Sequence, residues 1–171
     1  MRALVVGLGV AGESAARQLS VRGWEVSVVE DRPTDRSRAR AASLSDSGVG
    51  TIDSPTPDRL AALVDATDLL VPSPPVPYAH PAITRALEKG TPVWTEFELA
   101  AQWSDVPIVA VTGTDGKTTV TTLVEQMLTA SGMRTVSAGN NDTPLVDVLD
   151  RDLDVIVVEA SSFRFLTTRQ S

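Results

Sequence analysis

The stretch Ile108-Val109-Ala110-Val111-Thr112-Gly113-Thr114-Asp115-Gly116-Lys117-Thr118-Thr119 runs from four apolar residues through two glycines to a lysine and two hydroxyls. It predicts a buried strand, a tight turn and the start of a helix. Glycines let backbone N–H groups point inward at an anion, and a helix N-terminus adds partial positive charge. Lys117 can reach terminal phosphates, and Thr118 can bring a hydroxyl to Mg2+. Gly113, Thr114, Asp115, Gly116, Lys117, Thr118 and Thr119 are therefore candidate residues for a nucleotide triphosphate. The ordinary pattern places a glycine six positions before the lysine. Val111 holds that position here and Gly113 lies four before Lys117, so the loop is a shortened variant. The competing reading is a glycine turn that only joins strand to helix; the Gly-Lys-Thr run in its strand-and-helix context speaks against it.

Downstream, Thr118 to Ser131 has helical spacing, with Leu123, Met127 and Leu128 along one side. Arg134 to Ala138 reads as a strand and Pro144 to Leu149 as a helix. Val155-Ile156-Val157-Val158-Glu159 is an apolar strand ending in a carboxylate. Ligands of open α/β sheets sit beyond the carboxyl ends of the strands. Glu159 is thus a candidate Mg2+ ligand together with Thr118. Ser161 and Ser162 either orient the metal's surroundings or cap a following helix. Three strands and two helices leave such a sheet with open edges, so the second unit is expected to be part of a larger domain.

Upstream, strand and helix patterns alternate. Ala3 to Val6, Val26 to Val29, Leu69 to Val71 and Val93-Trp94 read as strands. Ala11 to Val21, Leu60 to Val64, Pro81 to Lys89 and Glu96 to Trp103 read as helices, with Leu8, Ala15, Ala16 and Leu19 facing inward. Pro33 to Ser47 is polar and Arg-rich, suited to a loop and a solvated helix, and Pro72 to Pro77 must be extended. Alternation of this kind predicts an α/β fold with a parallel sheet covered by helices. The expected division is a Rossmann-like domain over residues 1–104 and an incomplete phosphate-loop domain over residues 105–171.

Gly7-Leu8-Gly9-Val10-Ala11-Gly12 follows the first strand and fits the G-x-G-x-x-G pattern. Glu30 and Asp31 end the second strand, 18 and 19 positions after Gly12, where a carboxylate can accept from ribose hydroxyls. The loop does not choose its ligand, because a dinucleotide and a uridine diphosphate sugar both present a diphosphate. A ligand-free structural turn is the remaining alternative. The single histidine, His80, precedes Pro81 and is expected to cap a helix.

The chain has 171 residues, 42% of them apolar, and a formal charge of −7. That acidity argues against a nucleic-acid partner. The absence of cysteine excludes disulfides and Cys-ligated metal sites. No apolar run approaches a membrane span or a secretory core, so a soluble cytoplasmic protein without membrane insertion is expected.

These residues together resemble the Mur ligase family, most closely its D-glutamate-adding branch. The resemblance is carried by Gly7 to Gly12 with Ser14-Ala15-Ala16, by Ser73-Pro74 with Val76-Pro77, and by His80-Pro81 and Thr95-Glu96-Phe97-Glu98-Leu99. Val111 to Thr119, Gly139-Asn140 and Glu159-Ala160-Ser161-Ser162-Phe163 complete it. It implies an ATP- and Mg2+-dependent ligase of peptidoglycan precursor synthesis. Such an enzyme phosphorylates the carboxylate of UDP-N-acetylmuramoyl-L-alanine, and the D-glutamate amine then attacks the acyl phosphate. It implies a uridine nucleotide, not NAD, on the N-terminal domain, held by Gly9, Val10, Ala11, Glu30, Asp31, Arg32 and Ser73, with Asn140 also at the substrate. It implies Gly113 to Thr119 around ATP, Lys117 and Glu159 as catalytic residues, Thr118 and Glu159 at the metal, and a monomer at full length. The family's further histidine and modified lysine lie past Ser171, so this chain alone is expected not to complete catalysis. Asp115 stands where the family usually has Asn, Pro75 where it has Gly, Asn141-Asp142 where it has Ile-Gly, and Arg164 where it has Gln. Other readings consistent with the residues are a non-catalytic nucleotide-binding module, another amino-acid-adding Mur ligase and, from Gly7 to Gly12 alone, a dinucleotide oxidoreductase.

Overall fold

A computed structural model describes residues 1–139 and 143–160. The chain divides into two compact units, Met1–Glu96 and Phe97–Ser171. The first holds a four-stranded parallel sheet of β1 (Arg2–Val6), β2 (Glu25–Glu30), β3 (Gly50–Asp53) and β4 (Leu69–Pro72), in the order β3-β2-β1-β4. The helices α1 (Val10–Val21), α2 (Asp35–Ser45), α3 (Pro57–Asp65) and α4 (Pro81–Lys89) alternate with these strands. Ala3, Leu4, Val5 and Val6 of the central β1 are all buried, as expected for a parallel strand covered on both faces. Leu4, Val6, Val29 and Leu70 pack on one side against Leu60 and Val64 of α3 and Ala82, Ile83 and Ala86 of α4. Leu8, Ala15, Ala16 and Leu19 are buried as their spacing predicts.

Local chemistry starts and stops these helices. Thr34 and Ser37 form a reciprocal capping box that opens α2. Thr56 caps α3 and His80 caps α4, each followed by proline at the first helical position, where its missing N–H costs nothing. Gly90 ends α4 in the left-handed conformation at φ 74°.

The second unit contains α5 (Glu96–Trp103), β5 (Ile108–Val111), α6 (Lys117–Ala130), β6 (Thr135–Gly139) and β7 (Val155–Glu159). Among the described residues its three strands are parallel in the order β5-β7-β6, so β7 is central and every residue of it is buried. An aspartate locks the amino-terminal edge of each sheet. Asp68 Oδ2 accepts the Arg2 N–H at 2.7 Å in the first sheet, and Asp154 Oδ2 accepts the Arg134 N–H at 2.8 Å in the second.

Five expectations change. β3 carries little strand signal in sequence, because Gly50-Thr51-Ile52-Asp53 offers one strongly apolar side chain and two residues that disfavour strands. Val93-Trp94 contributes only a single parallel bridge, Leu70 with Val93. Residues 144–149 form one 3-10 turn, Leu145–Asp147, not an α-helix. Its turns close through Val148 N–H to Leu145 O and Arg151 N–H to Val148 O, which buries Leu145, Val146, Val148 and Leu149 without the nucleation cost of a helix. Finally, β5 is not the buried strand expected: Val109 is 41% exposed, Ala110 is exposed, and Ile108 and Val111 are half-buried. The apolar side of α6 is likewise open, with Leu123 53% and Met127 61% exposed and Val120 exposed beside them.

Candidate functional site

The loop between β5 and α6 lies at the carboxyl edge of the second sheet. Gly116, the residue before α6, has φ 73°, a left-handed conformation that glycine adopts without strain. Lys117 opens the helix, and its Nζ donates to Gly113 O at 2.8 Å and to Thr114 O at 3.2 Å. Thr114, Asp115 and Thr119 are exposed. Thr118 Oγ1 donates to Glu159 Oε2 at 2.8 Å. Glu159 ends β7, in register with Val111 on one side and Gly139 on the other. A Cβ on Gly139 would fall 2.4 Å from Glu159 O, so only glycine lets β6 run this close to the carboxylate residue. Glu159 is buried despite its charge, with the Thr118 hydroxyl as partner.

A hydroxyl and a carboxylate, both hard oxygen donors, thus meet at the start of α6, while the ammonium of the preceding Lys117 lies on the loop carbonyls. Among the described residues no three His, Cys, Asp or Glu side chains cluster as an all-protein metal site. That donor set fits Mg2+, which is usually held by one or two protein oxygens together with water and substrate phosphates.

The first glycine loop is built differently. Gly7 has φ 90°, and a Cβ there would meet Val76 Cγ2 at 2.9 Å and Ser73 Cβ at 3.1 Å. A Cβ on Gly12 would fall 2.1 Å from Gly7 O. Gly9 precedes α1 with no side-chain cap, Val10 is exposed and Ala11 is half-buried. Ser73 is buried against this loop, and among the described residues its Oγ has no hydrogen-bond partner. An orphaned hydroxyl facing a glycine loop fits a polar ligand atom better than an apolar one.

Glu30 also serves the loop itself. Its Oε2 accepts the Leu8 N–H at 2.8 Å and its Oε1 the Arg32 N–H at 2.9 Å, so both oxygens engage backbone amides and brace the loop. The exposed carboxylate nearby is Asp31, whose Oδ2 lies 2.7 Å from His80 Nε2. Arg32 is exposed. His80 caps α4, as its place before Pro81 suggests, with Nδ1 accepting the Ala82 N–H at 3.1 Å. A cavity of about 370 Å³ adjoins this pair, lined by Pro55, Leu60, Ala61 and Arg85 among others. Arg85 is tied to Asp65 through 2.8 and 2.6 Å bonds, which hold the Asp65 carboxyl below its ordinary value. The Asp31–His80 pairing, 49 residues apart, had no signal in the sequence. Asn140, Asn141, Asp142, Ser161, Ser162, Phe163 and Arg164 lie outside the described residues. No helix among the described residues is long and apolar enough to cross a membrane.

Known proteins match both units. Residues 1–95 match the family described as Mur ligase MurD-like, N-terminal domain, and residues 111–170 match the Mur ligase middle domain. A UDP-N-acetylmuramoylalanine--D-glutamate ligase from Streptococcus pneumoniae strain Hungary19A-6 is 40% identical over 99% of this chain. The same-named enzyme from Streptococcus sanguinis is 40% identical over 96% of it. The chain spans only 37% and 36% of the length of these two relatives. Among solved structures, UDP-N-acetylmuramate:L-alanyl-gamma-D-glutamyl-meso-diaminopimelate ligase from Neisseria meningitides aligns with a TM-score of 0.56 at 17% identity, over 95% of this chain and 54% of its own. A murein peptide ligase from Psychrobacter arcticus aligns with a TM-score of 0.53 at 23% identity, over 95% of this chain and 39% of its own. At these identities the structures speak for the fold alone. The family matches cover both glycine loops and the Glu159 strand, and on that ground the chain belongs to the Mur ligase family.

Proposed function

We propose that this chain supplies the nucleotide-binding region and the ATP loop of a ligase that joins D-glutamate to UDP-N-acetylmuramoyl-L-alanine. The observation that carries the reading is the 2.8 Å bond between Thr118 and Glu159 beside Lys117, at the carboxyl edge of a parallel sheet. The 40% identity to D-glutamate-adding enzymes supports the choice of amino acid. Residues 1–104 would hold the uridine nucleotide through Gly9, Val10, Ala11, Asp31, Arg32 and Ser73, with Glu30 bracing the loop, and residues 105–171 would open the ATP-binding domain with Asn140 reaching the substrate. The whole enzyme would work as a cytoplasmic monomer.

In the reaction, a carboxylate oxygen of the substrate bonds to the γ-phosphorus of ATP as the bond to ADP breaks. The D-glutamate amine then attacks the acyl phosphate, loses a proton, and the tetrahedral intermediate expels phosphate. Phosphoryl transfer depends on positioning and charge neutralisation. Gly113 to Thr119 would surround the polyphosphate, and Lys117 would turn its ammonium from the loop carbonyls to the terminal phosphates. Thr118 and Glu159 would hold Mg2+, which when bound neutralises charge on the transferring group. The full-length protein is expected to release phosphate from ATP only when UDP-N-acetylmuramoyl-L-alanine and D-glutamate are both present. Release driven by a different amino acid would reassign the branch, and none at all would leave a nucleotide-binding module.

A further inference from the structure

We infer that His80 is a positioning residue for the nucleotide end of the site, acting through Asp31; the inference rests on the proposed nucleotide role of Asp31. His80 Nδ1 accepts the Ala82 N–H, so that nitrogen carries no proton. The neutral ring then has its proton on Nε2 and donates it to Asp31 Oδ2 at 2.7 Å. Both ring nitrogens are used in one tautomer, and the ring is buried as the N-cap of α4. Asp31 is also held at its backbone, where Ser54 Oγ donates to Asp31 O at 3.1 Å. Ser54 has φ 44°, the one positive value at a non-glycine among the described residues. Local strain of this kind persists only where surrounding bonds enforce it.

The consequence is an oriented acceptor. The Asp31 side chain is 48% exposed, so one carboxylate oxygen is pinned by His80 and the other is accessible. A fixed acceptor beside a cavity suits the hydroxyl and imide N–H donors of a nucleoside, at less ordering cost than a freely rotating carboxylate. Because the same ring caps α4, a ligand on Asp31 is also mechanically joined to that helix.

His80 is the single histidine of the chain, so a long-range 1H–15N spectrum of imidazole reports it alone. The 171-residue chain near pH 7.5 is expected to show the Nε2-protonated tautomer. The opposite tautomer, or an exchange average, would overturn the inference. Calorimetric titration with UDP supplies the second arm. His80→Asn keeps a good helix cap but is too short to reach Asp31. It is expected to weaken UDP binding roughly tenfold, the scale of a hydrogen bond to a charged group, while the melting temperature holds. In an Asp31→Asn background, His80→Asn should cost nothing further. Full additivity of the two losses, or unchanged UDP binding by His80→Asn, removes His80 from the role while the nucleotide reading stands. Failure of the wild-type chain to bind UDP removes the nucleotide reading itself, and the inference with it.

Discussion

The two glycine loops look alike in sequence and differ in what their glycines are for. In the first loop the glycines make room: Gly12 is pressed against Gly7 O, and Gly7 against Ser73 and Val76. In the second, Gly116 has open space around it and is needed only for its backbone angle. The first loop is braced by Glu30, whose carboxylate occupies the Leu8 amide. Among the described residues the second shows no such brace; its own Lys117 lies across the carbonyls of Gly113 and Thr114. One loop is part of a packed core and the other is an exposed cradle. A shared pattern of glycines before a helix therefore does not imply a shared mode of binding.

The contrast is sharpest in the cradle's lysine. On the proposed ligase reading, Lys117→Ala should lower phosphate release by the whole enzyme about a thousandfold, the scale of losing one preorganised charge donor. The melting temperature should hardly move, since among the described residues Lys117 Nζ bonds only loop carbonyls. Next comes a matched pair read by urea denaturation. Gly12→Ala forces a Cβ onto a backbone oxygen and should cost about 3 kcal/mol. Gly116→Ala meets no atom of the described residues and should cost only about 1 kcal/mol, for its left-handed backbone. Equal costs would break the comparison.

Asp115 tests the exposed loop by charge. Removing one negative charge about 7 Å from a phosphate in water changes binding by roughly 0.6 kcal/mol. Asp115→Asn should therefore tighten ATP binding about threefold in calorimetry, and the gain should fade as salt is raised. The smallest effect lies at the opposite edge of the second sheet. The Arg134 guanidinium and backbone N–H hold the Asp154 carboxyl at about 2, against an ordinary 3.8. A lowered carboxyl stabilises the fold above its unfolded value and loses that contribution as it protonates. The stability difference between wild type and Asp154→Asn should thus be full above pH 4 and shrink between about pH 4 and pH 2, as followed by thermal melting. Both partners are largely exposed, so the difference should be small.

Much of this was legible from residue order. Ile108–Val111, Val155–Glu159, Pro81–Lys89 and Glu96–Trp103 stand where periodicity, proline and glycine placed them. The meeting of Thr118 with Glu159 followed from a rule about strand ends. What was not legible depends on the third dimension. Nothing in Glu30 says that its side chain turns back to an amide, and Asp31 finds His80 only because β2 and α4 converge. Periodicity marked the apolar side of α6 but carries no information on whether another element covers it. The 144–149 segment has helical spacing and helical burial, yet it is too short to gain from i to i+4 bonds.

The strand order of the first sheet has a consequence during synthesis. β1 is central, yet its second partner β4 begins with the segment around Asp68, 66 residues after Arg2. At ribosomal rates of about 5–20 residues per second, that separation is roughly 3–13 s. For that interval Ala3-Leu4-Val5-Val6 has only β2 to pair with, and one apolar edge stands open to other nascent chains. Changes at the exposed Asp68, which bonds the Arg2 amide, should therefore show first in soluble yield and chaperone demand, before any large loss of thermal stability in the finished protein.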